Sequence, residues 1–202
     1  MPARSAGVSR SPRRDEHAAQ WHTSWLDDAR NGITAVSEDE AETAAHAEQA
    51  LLKKLRTRSL SEREARVALR GHALAGDAVE TLLAHMRDLG YLDDVRLAEQ
   101  LVHAGITRKQ QGRHALAQSL AQRGIPRDVV EAALAELPDD DADRALEYAR
   151  TKARGMAGLD RDGALRRLAG QLARRGYGSA ALAAARQALD EAAPAPHGVR
   201  FE

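Results

Sequence analysis

The sequence predicts an all-α fold of three tandem three-helix repeats, forming an elongated curved array behind a flexible N-terminal arm, and three observations predict it. The first is composition. Apolar residues make up 43% of the 202 residues, enough for a core, while aromatics account for only 3%. Most apolar side chains are Ala and Leu, so helix formers dominate and strand formers are scarce. The second is helix punctuation. Ser37 with Glu40, and Ser61 with Glu64, have the form of capping boxes, and Leu60 stands where a staple residue would precede the second. Gly90, Gly105, Gly124, Gly155 and Gly176 mark helix ends, and Pro138 and Pro194 terminate the helices before them. The third is internal repetition. "LAQSLAQRGIPRDVVEAALAEL" (Leu116 to Leu137) returns as "LAGQLARRGYGSAALAAARQAL" (Leu168 to Leu189). Leu120, Gly124, Ile125, Val130, Ala133 and Leu137 recur 52 positions later as Leu172, Gly176, Tyr177, Leu182, Ala185 and Leu189. A weaker copy, Leu69, Leu74, Val79, Leu82 and Met86, lies 51 positions before Leu120, Ile125, Val130, Ala133 and Leu137, with Ala73 in place of the glycine. A period of this length marks units that bury their apolar faces against one another.

Taken in order, residues 1–40 are rich in Ser, Arg and acidic residues without sustained periodicity and read as a mostly disordered arm. Within it, Trp21 and Trp25 are spaced to share one helix face, which would either dock the segment onto the domain or anchor a partner. Helices are expected near 41–57, 62–73, 77–89, 94–110, 113–123, 127–137, 141–154, 161–175 and 179–191. They group into units at 41–94, 95–140 and 141–192, with a tail at 193–202.

Thirty basic and thirty acidic side chains cancel, but they are segregated. Lys53, Lys54, Arg56, Arg58, Arg63, Arg66 and Arg70 stand among only Glu62 and Glu64, whereas "ELPDDDADRALE" and "SEDEAE" are acidic blocks. Such segregation gives local fields at zero net charge. The absence of cysteine excludes disulfides and thiolate metal sites. No apolar run suits a signal peptide or a membrane span, so a cytoplasmic location is expected. Enzymatic chemistry is not expected. The eight histidines are dispersed, "KARGMAGLDRDG" lacks the ending of a phosphate loop, and Asp139, Asp140, Asp141 and Asp143 lack the glycine and distal Glu of a calcium loop. That acidic run reads instead as a helix N-terminus favoured by the dipole. The turn in "AQRGIPRDVV" also has the look of a DNA-binding helix-turn-helix, yet the residues after it, Pro126, Arg127, Asp128, Val129 and Val130, make a poor base-reading surface.

The units "LLKKLRTRSLSEREARVALRGHALAGDAVETLLAHMRDLGYLDD", "RLAEQLVHAGITRKQQGRHALAQSLAQRGIPRDVVEAALAEL" and "DRALEYARTKARGMAGLDRDGALRRLAGQLARRGYGSAALAAARQAL" resemble the three tandem three-helix repeats of the bacterial RecX proteins, regulators of the RecA recombinase. The resemblance runs from about Ala47 to Glu191 and rests on the "LGYLDD" junction at Leu89 to Asp94, the "QRGI" turn and the "GLD…LARRGY" pattern of the third unit. A departure is the start of the second unit, where Leu97 and Leu101 replace aromatics. The resemblance implies a non-enzymatic, cofactor-free monomer that lies along the RecA filament. There it would limit filament growth, ATP hydrolysis and strand exchange, and so modulate recombination and repair, with nonspecific contact to single-stranded DNA as an accompaniment. The candidate partner-binding residues are Lys53, Lys54, Arg56, Arg63, Arg66 and Arg70 in the first unit, Arg108, Lys109, Arg113 and Arg123 in the second, and Arg166, Arg167, Arg174 and Arg175 in the third. A helix-turn-helix DNA-binding protein is the alternative.

Overall fold

The computed structural model describes residues 37–193, so the arm with Trp21 and Trp25, and the tail after residue 193, lie outside the described residues. All regular structure among the described residues is helical. The helices are α1 (Glu38–Thr57), α2 (Glu62–Leu69), α3 (Gly76–Asp88), α4 (Asp94–Thr107), α5 (Arg113–Gln122), α6 (Arg127–Ala135), α7 (Asp141–Ala153), α8 (Arg161–Arg174) and α9 (Ala180–Ala192). Single 3₁₀ turns extend α2 (Arg70–His72) and α7 (Arg154–Met156). Both capping boxes form: Ser37 and Ser61 each accept from the backbone N–H three residues on, and Glu40 and Glu64 reach back to the cap N–H. With Ser37 as its cap, α1 begins at Glu38, three residues before the expected start.

Buried side chains form three separate clusters, one within each set of three helices. Leu51, Leu69, Leu82, Leu83 and Met86 centre the first, Leu97, Val102, Leu116 and Leu120 the second, and Leu168, Leu172, Tyr148 and Tyr177 the third. The equivalent leucines Leu69, Leu120 and Leu172 are all essentially sealed from solvent, each contributing roughly 2 kcal/mol by burial. Ala145, Ala149, Ala181, Ala184, Ala185 and Ala188 supply much of the third core, and such small side chains let α7 and α9 approach closely.

The repeat register slips in one place. Leu182, aligned with the core residue Val130, is 44% exposed. Gly178 adopts φ +53° just before α9, and the buried stripe of that helix instead runs through Ala181, Ala184, Ala185 and Ala188. Gly105 also departs from expectation. It lies inside α4 rather than at a helix end, and it is glycine because Leu116 and the Gln111 amide occupy the space a Cβ would take.

The units join through one arrangement used twice. In each case the start of the middle helix of one unit meets the turn after the middle helix of the next. At the first junction the Ser61 hydroxyl donates to the Arg123 carbonyl, and the Glu62 N–H donates to Asp94 Oδ1 at 3.1 Å. At the second, the Gly112 and His114 N–H groups donate to the carbonyls of Arg175 and Gly176 at 2.8 and 3.3 Å, and the Arg113 N–H donates to Asp141 Oδ2 at 2.8 Å. Asp94 and Asp141 are the first residues of α4 and α7, the helices that open the second and third units, so the second unit begins one residue before the expected 95, and each satisfies an orphan N–H at the start of a helix in the unit before. The aspartate run read as belonging to its own helix start therefore also serves a neighbour.

This geometry explains the repeated glycine. Gly124 and Gly176 have φ of +75° and +85°, and a methyl on either would enter the preceding unit, striking the Arg63 side chain in one case and the Ala115 backbone in the other. Among the described residues no unit precedes the first, and its equivalent residue is Ala73, exposed and also left-handed at φ 51°. Ala73→Gly should accordingly stabilise the protein by about 0.5–1 kcal/mol, relief of left-handed strain exceeding the added freedom of the unfolded chain. Calorimetric melting should show a rise of about 2 °C. A fall would mean that Ala73 makes a contact worth more than the strain.

Candidate functional site: two basic junctions

The fourteen basic residues singled out from the sequence divide sharply. Lys53, Lys54, Arg56, Arg63, Arg70, Arg108, Lys109, Arg166, Arg167 and Arg174 are exposed. Arg66, Arg113, Arg123 and Arg175 are only partly so, and all four have partners within the chain. The Arg66 guanidinium forms a two-point pair with Glu80 at 2.7 and 2.8 Å. Arg113 donates to the carbonyls of Leu134, Leu137 and Pro138, satisfying orphan acceptors at the end of α6. Arg123 clasps Glu64 with two bonds of 2.8 Å and reaches the Ser59 carbonyl. Arg175 lies over the Tyr148 ring, 4.4 Å from its centroid, and donates to the Lys109 carbonyl. Of the second-unit candidates Arg108, Lys109 and Arg113, the last is therefore bonded within the chain. Arg113 is a structural cap and only its two neighbours face solvent.

Folding brings basic residues from different units together at both junctions. At the first, Lys54 and Arg58 at the end of α1, Arg63 on α2 and Arg123 after α5 line a shallow groove of about 350 Å³, with exposed Val67 beside them. Glu64 is the acid in its lining, and its charge is already shared by Arg123 and Arg58. Burial works to raise the Glu64 pKa, but hydrogen bonds from Arg123, the Ser61 N–H and Arg58 outweigh it and hold the carboxyl down to about 2. At the second junction, the Arg175 guanidinium after α8 donates to the Lys109 carbonyl at the end of α4, and Lys152 of α7 and Arg175 both lie against the Tyr148 ring. The Tyr177 hydroxyl donates to the Gln110 carbonyl at 3.0 Å, holding this corner to the third unit. Sequence reasoning passed over Lys152 and left Arg58 out of the candidate surface. Lys152 comes to this junction through the Tyr148 ring it shares with Arg175, 23 positions away.

No group of three or more His, Asp or Glu among the described residues could hold a metal ion, and no described helix is long and apolar enough to cross a membrane. The helix-turn-helix alternative finds little support in this geometry. Both turns are packed against the unit before them, and the helix that would read bases, α6, carries Asp128 near its start, pairs its Arg127 with Glu131 and ends at Glu136, a poor surface for phosphate.

Stacked three-helix units with cationic junctions, and only helices among the described residues, define a helical repeat protein. Comparison with known proteins makes the class specific. The model of the RecX second three-helix domain matches residues 93–134. The regulatory protein RecX of Streptomyces coelicolor is 34% identical over 133 residues, covering 65% of this chain and 71% of that protein. RecX of Thermobifida fusca is 32% identical over 157 residues, covering 77% and 84%. The crystal structure of RecX from Lactobacillus salivarius superposes with a TM-score of 0.66 at 19% identity, over 75% of this chain and 99% of that one. The chain belongs to the RecX family of regulatory proteins.

Proposed function

We propose that this protein binds the RecA recombinase filament and limits its growth, its ATP hydrolysis and strand exchange, acting as a monomer in the cytoplasm and hydrolysing no ATP itself. The observation that supports this most is the convergence of cationic side chains at both unit junctions. A rigid array with two spaced cationic faces can touch more than one subunit of a helical polymer, which multiplies weak contacts. The same faces suit nonspecific contact with the phosphates of single-stranded DNA. Within this reading Lys53, Lys54, Arg56, Arg58 and Arg70 form the first-unit face. Arg108, Lys109, Lys152 and Arg174 form the face at the second junction, and Arg166 and Arg167 extend it along α8.

The test is DNA-dependent ATP hydrolysis by RecA on single-stranded DNA, titrated with this protein. Wild type should lower the rate. The double reversal Arg108→Glu/Lys109→Glu should weaken that inhibition by about tenfold or more, since each charged contact desolvated in a complex is worth roughly 2–5 kcal/mol when truncated. Both side chains are exposed, so folding stability should move by less than about 0.5 kcal/mol. Lys53→Glu/Lys54→Glu probes the first-unit face in the same way. Inhibition unchanged by either variant would remove these residues from the interface, and a wild type without effect would refute the functional reading itself.

A further inference from the structure

Away from the basic junctions, α4 and α6 leave an apolar groove of about 590 Å³ on the second unit. Val102, Ile106, Val129 and Leu137 form its floor, and Val95 at one end is 55% exposed. Glu99, Asp128 and Glu136 lie along its walls, His103 joins them, and neither Lys nor Arg lines it. In a protein with as many basic as acidic residues, an apolar trough lined by acids alone selects its occupant: an apolar anchor with cations beside it.

A segment outside the described residues has that chemistry. We propose that residues 10–25 dock in the α4–α6 groove of the same molecule. Trp21 and Trp25 supply the apolar anchors, and Arg10, Arg13 and Arg14 face the carboxylates of Glu99, Asp128 and Glu136. On a helical turn, the i, i+4 spacing of the tryptophans would put both indoles on one side, matching an elongated floor. Groove volume is in the range that accepts a pair of such side chains. Reach is sufficient. Eleven residues separate Trp25 from Ser37, where the described chain begins, and an extended linker of that length spans about 40 Å. Helix α1, which carries that starting point, has 20 residues and is about 30 Å long, and its far end lies at the first junction, where Asp94, the neighbour of Val95, bonds to α2. A tether of this length holds the segment at an effective concentration on the order of millimolar, which favours it over a free peptide or a second copy.

The two tryptophans are the only ones in the chain, so their fluorescence reports the segment directly. In the full-length protein their emission should be blue-shifted and protected from iodide and acrylamide quenching. Ala132→Arg, at an exposed helical position lining the groove, should fill it and reverse its charge. Emission should then shift to the red and protection should be lost, with circular dichroism unchanged. Arg13→Glu/Arg14→Glu should act in the same direction from the other partner. Emission typical of free tryptophan in the wild type would overturn the proposal. So would protection that survives Ala132→Arg, which means docking elsewhere, or protection that disappears on dilution together with a dimeric sedimenting species, which means the arm of a second copy.

Discussion

Gly176→Ala should lower stability by about 3 kcal/mol or more and depress the melting temperature by roughly 10 °C, the largest single-methyl effect expected in this protein. Two costs combine. The residue sits at φ +85°, where any L side chain is strained by about 1–2 kcal/mol. Its new methyl would also fall on the backbone nitrogen and Cβ of Ala115, at the start of α5. Backbone cannot step aside without breaking the bonds from Gly112 and His114 to the turn, so the third unit must separate slightly from the second. Gly124→Ala provides the control. Its φ is similar, at +75°, but its methyl would meet the Arg63 side chain and no backbone: the outer carbons can rotate away and only the Arg63 Cβ, at 2.9 Å, must give by a small shift, so the loss should be smaller, about 2 kcal/mol. Thermal melts of both variants check the comparison. Equal losses would show that left-handed strain, and not unit docking, sets the cost.

Arg123→Ala should cost about 2–3 kcal/mol at neutral pH and should also remove most of the acid sensitivity that Glu64 confers. Truncation deletes two bonds to Glu64 and one to the Ser59 carbonyl, and it leaves a carboxylate of 23% side-chain exposure with only Arg58 and the capping N–H as partners. The pH arm follows from linkage. Glu64 has its pKa lowered from 4.5 to about 2 in the folded protein, so its contribution is fully present above pH 5 and is lost as pH falls toward 2. Solvent screening limits that contribution to on the order of 1–2 kcal/mol. Asp94 at the same junction runs the other way. Burial raises its pKa, with Glu62, Asp93 and Glu64 adding repulsion against the Glu62 N–H bond, so acidification relieves part of its penalty and softens the net loss. Urea denaturation at pH 7 and pH 3 measures both effects. Wild type should lose more stability than Arg123→Ala between the two, and parallel losses would assign the acid sensitivity to other carboxylates.

Helix content, the capping boxes at Ser37 and Ser61, and the leucines Leu69, Leu120 and Leu172 were legible in the sequence because each depends on residues within a few positions of one another. The repeat itself was legible for a similar reason: units that pack alike need the same side chains at the same spacing, and the 52-residue offset between Gly124 and Gly176 records it. Charge could be counted but not placed. Arg113 and Arg108 are alike in the sequence, and only the carbonyls of Leu134, Leu137 and Pro138, 21 to 25 positions away, make one of them a cap. Lys152 and Arg175 meet the same Tyr148 ring, Asp94 and Asp141 cap helices of the preceding unit, and Leu182 turns outward once Gly178 shifts the register of α9. Local sequence determines which segments are helical because helix bonds span four residues. Which arginine is bonded within the chain and which is left to meet a partner is decided by contacts between units, and these exist only after the array has stacked.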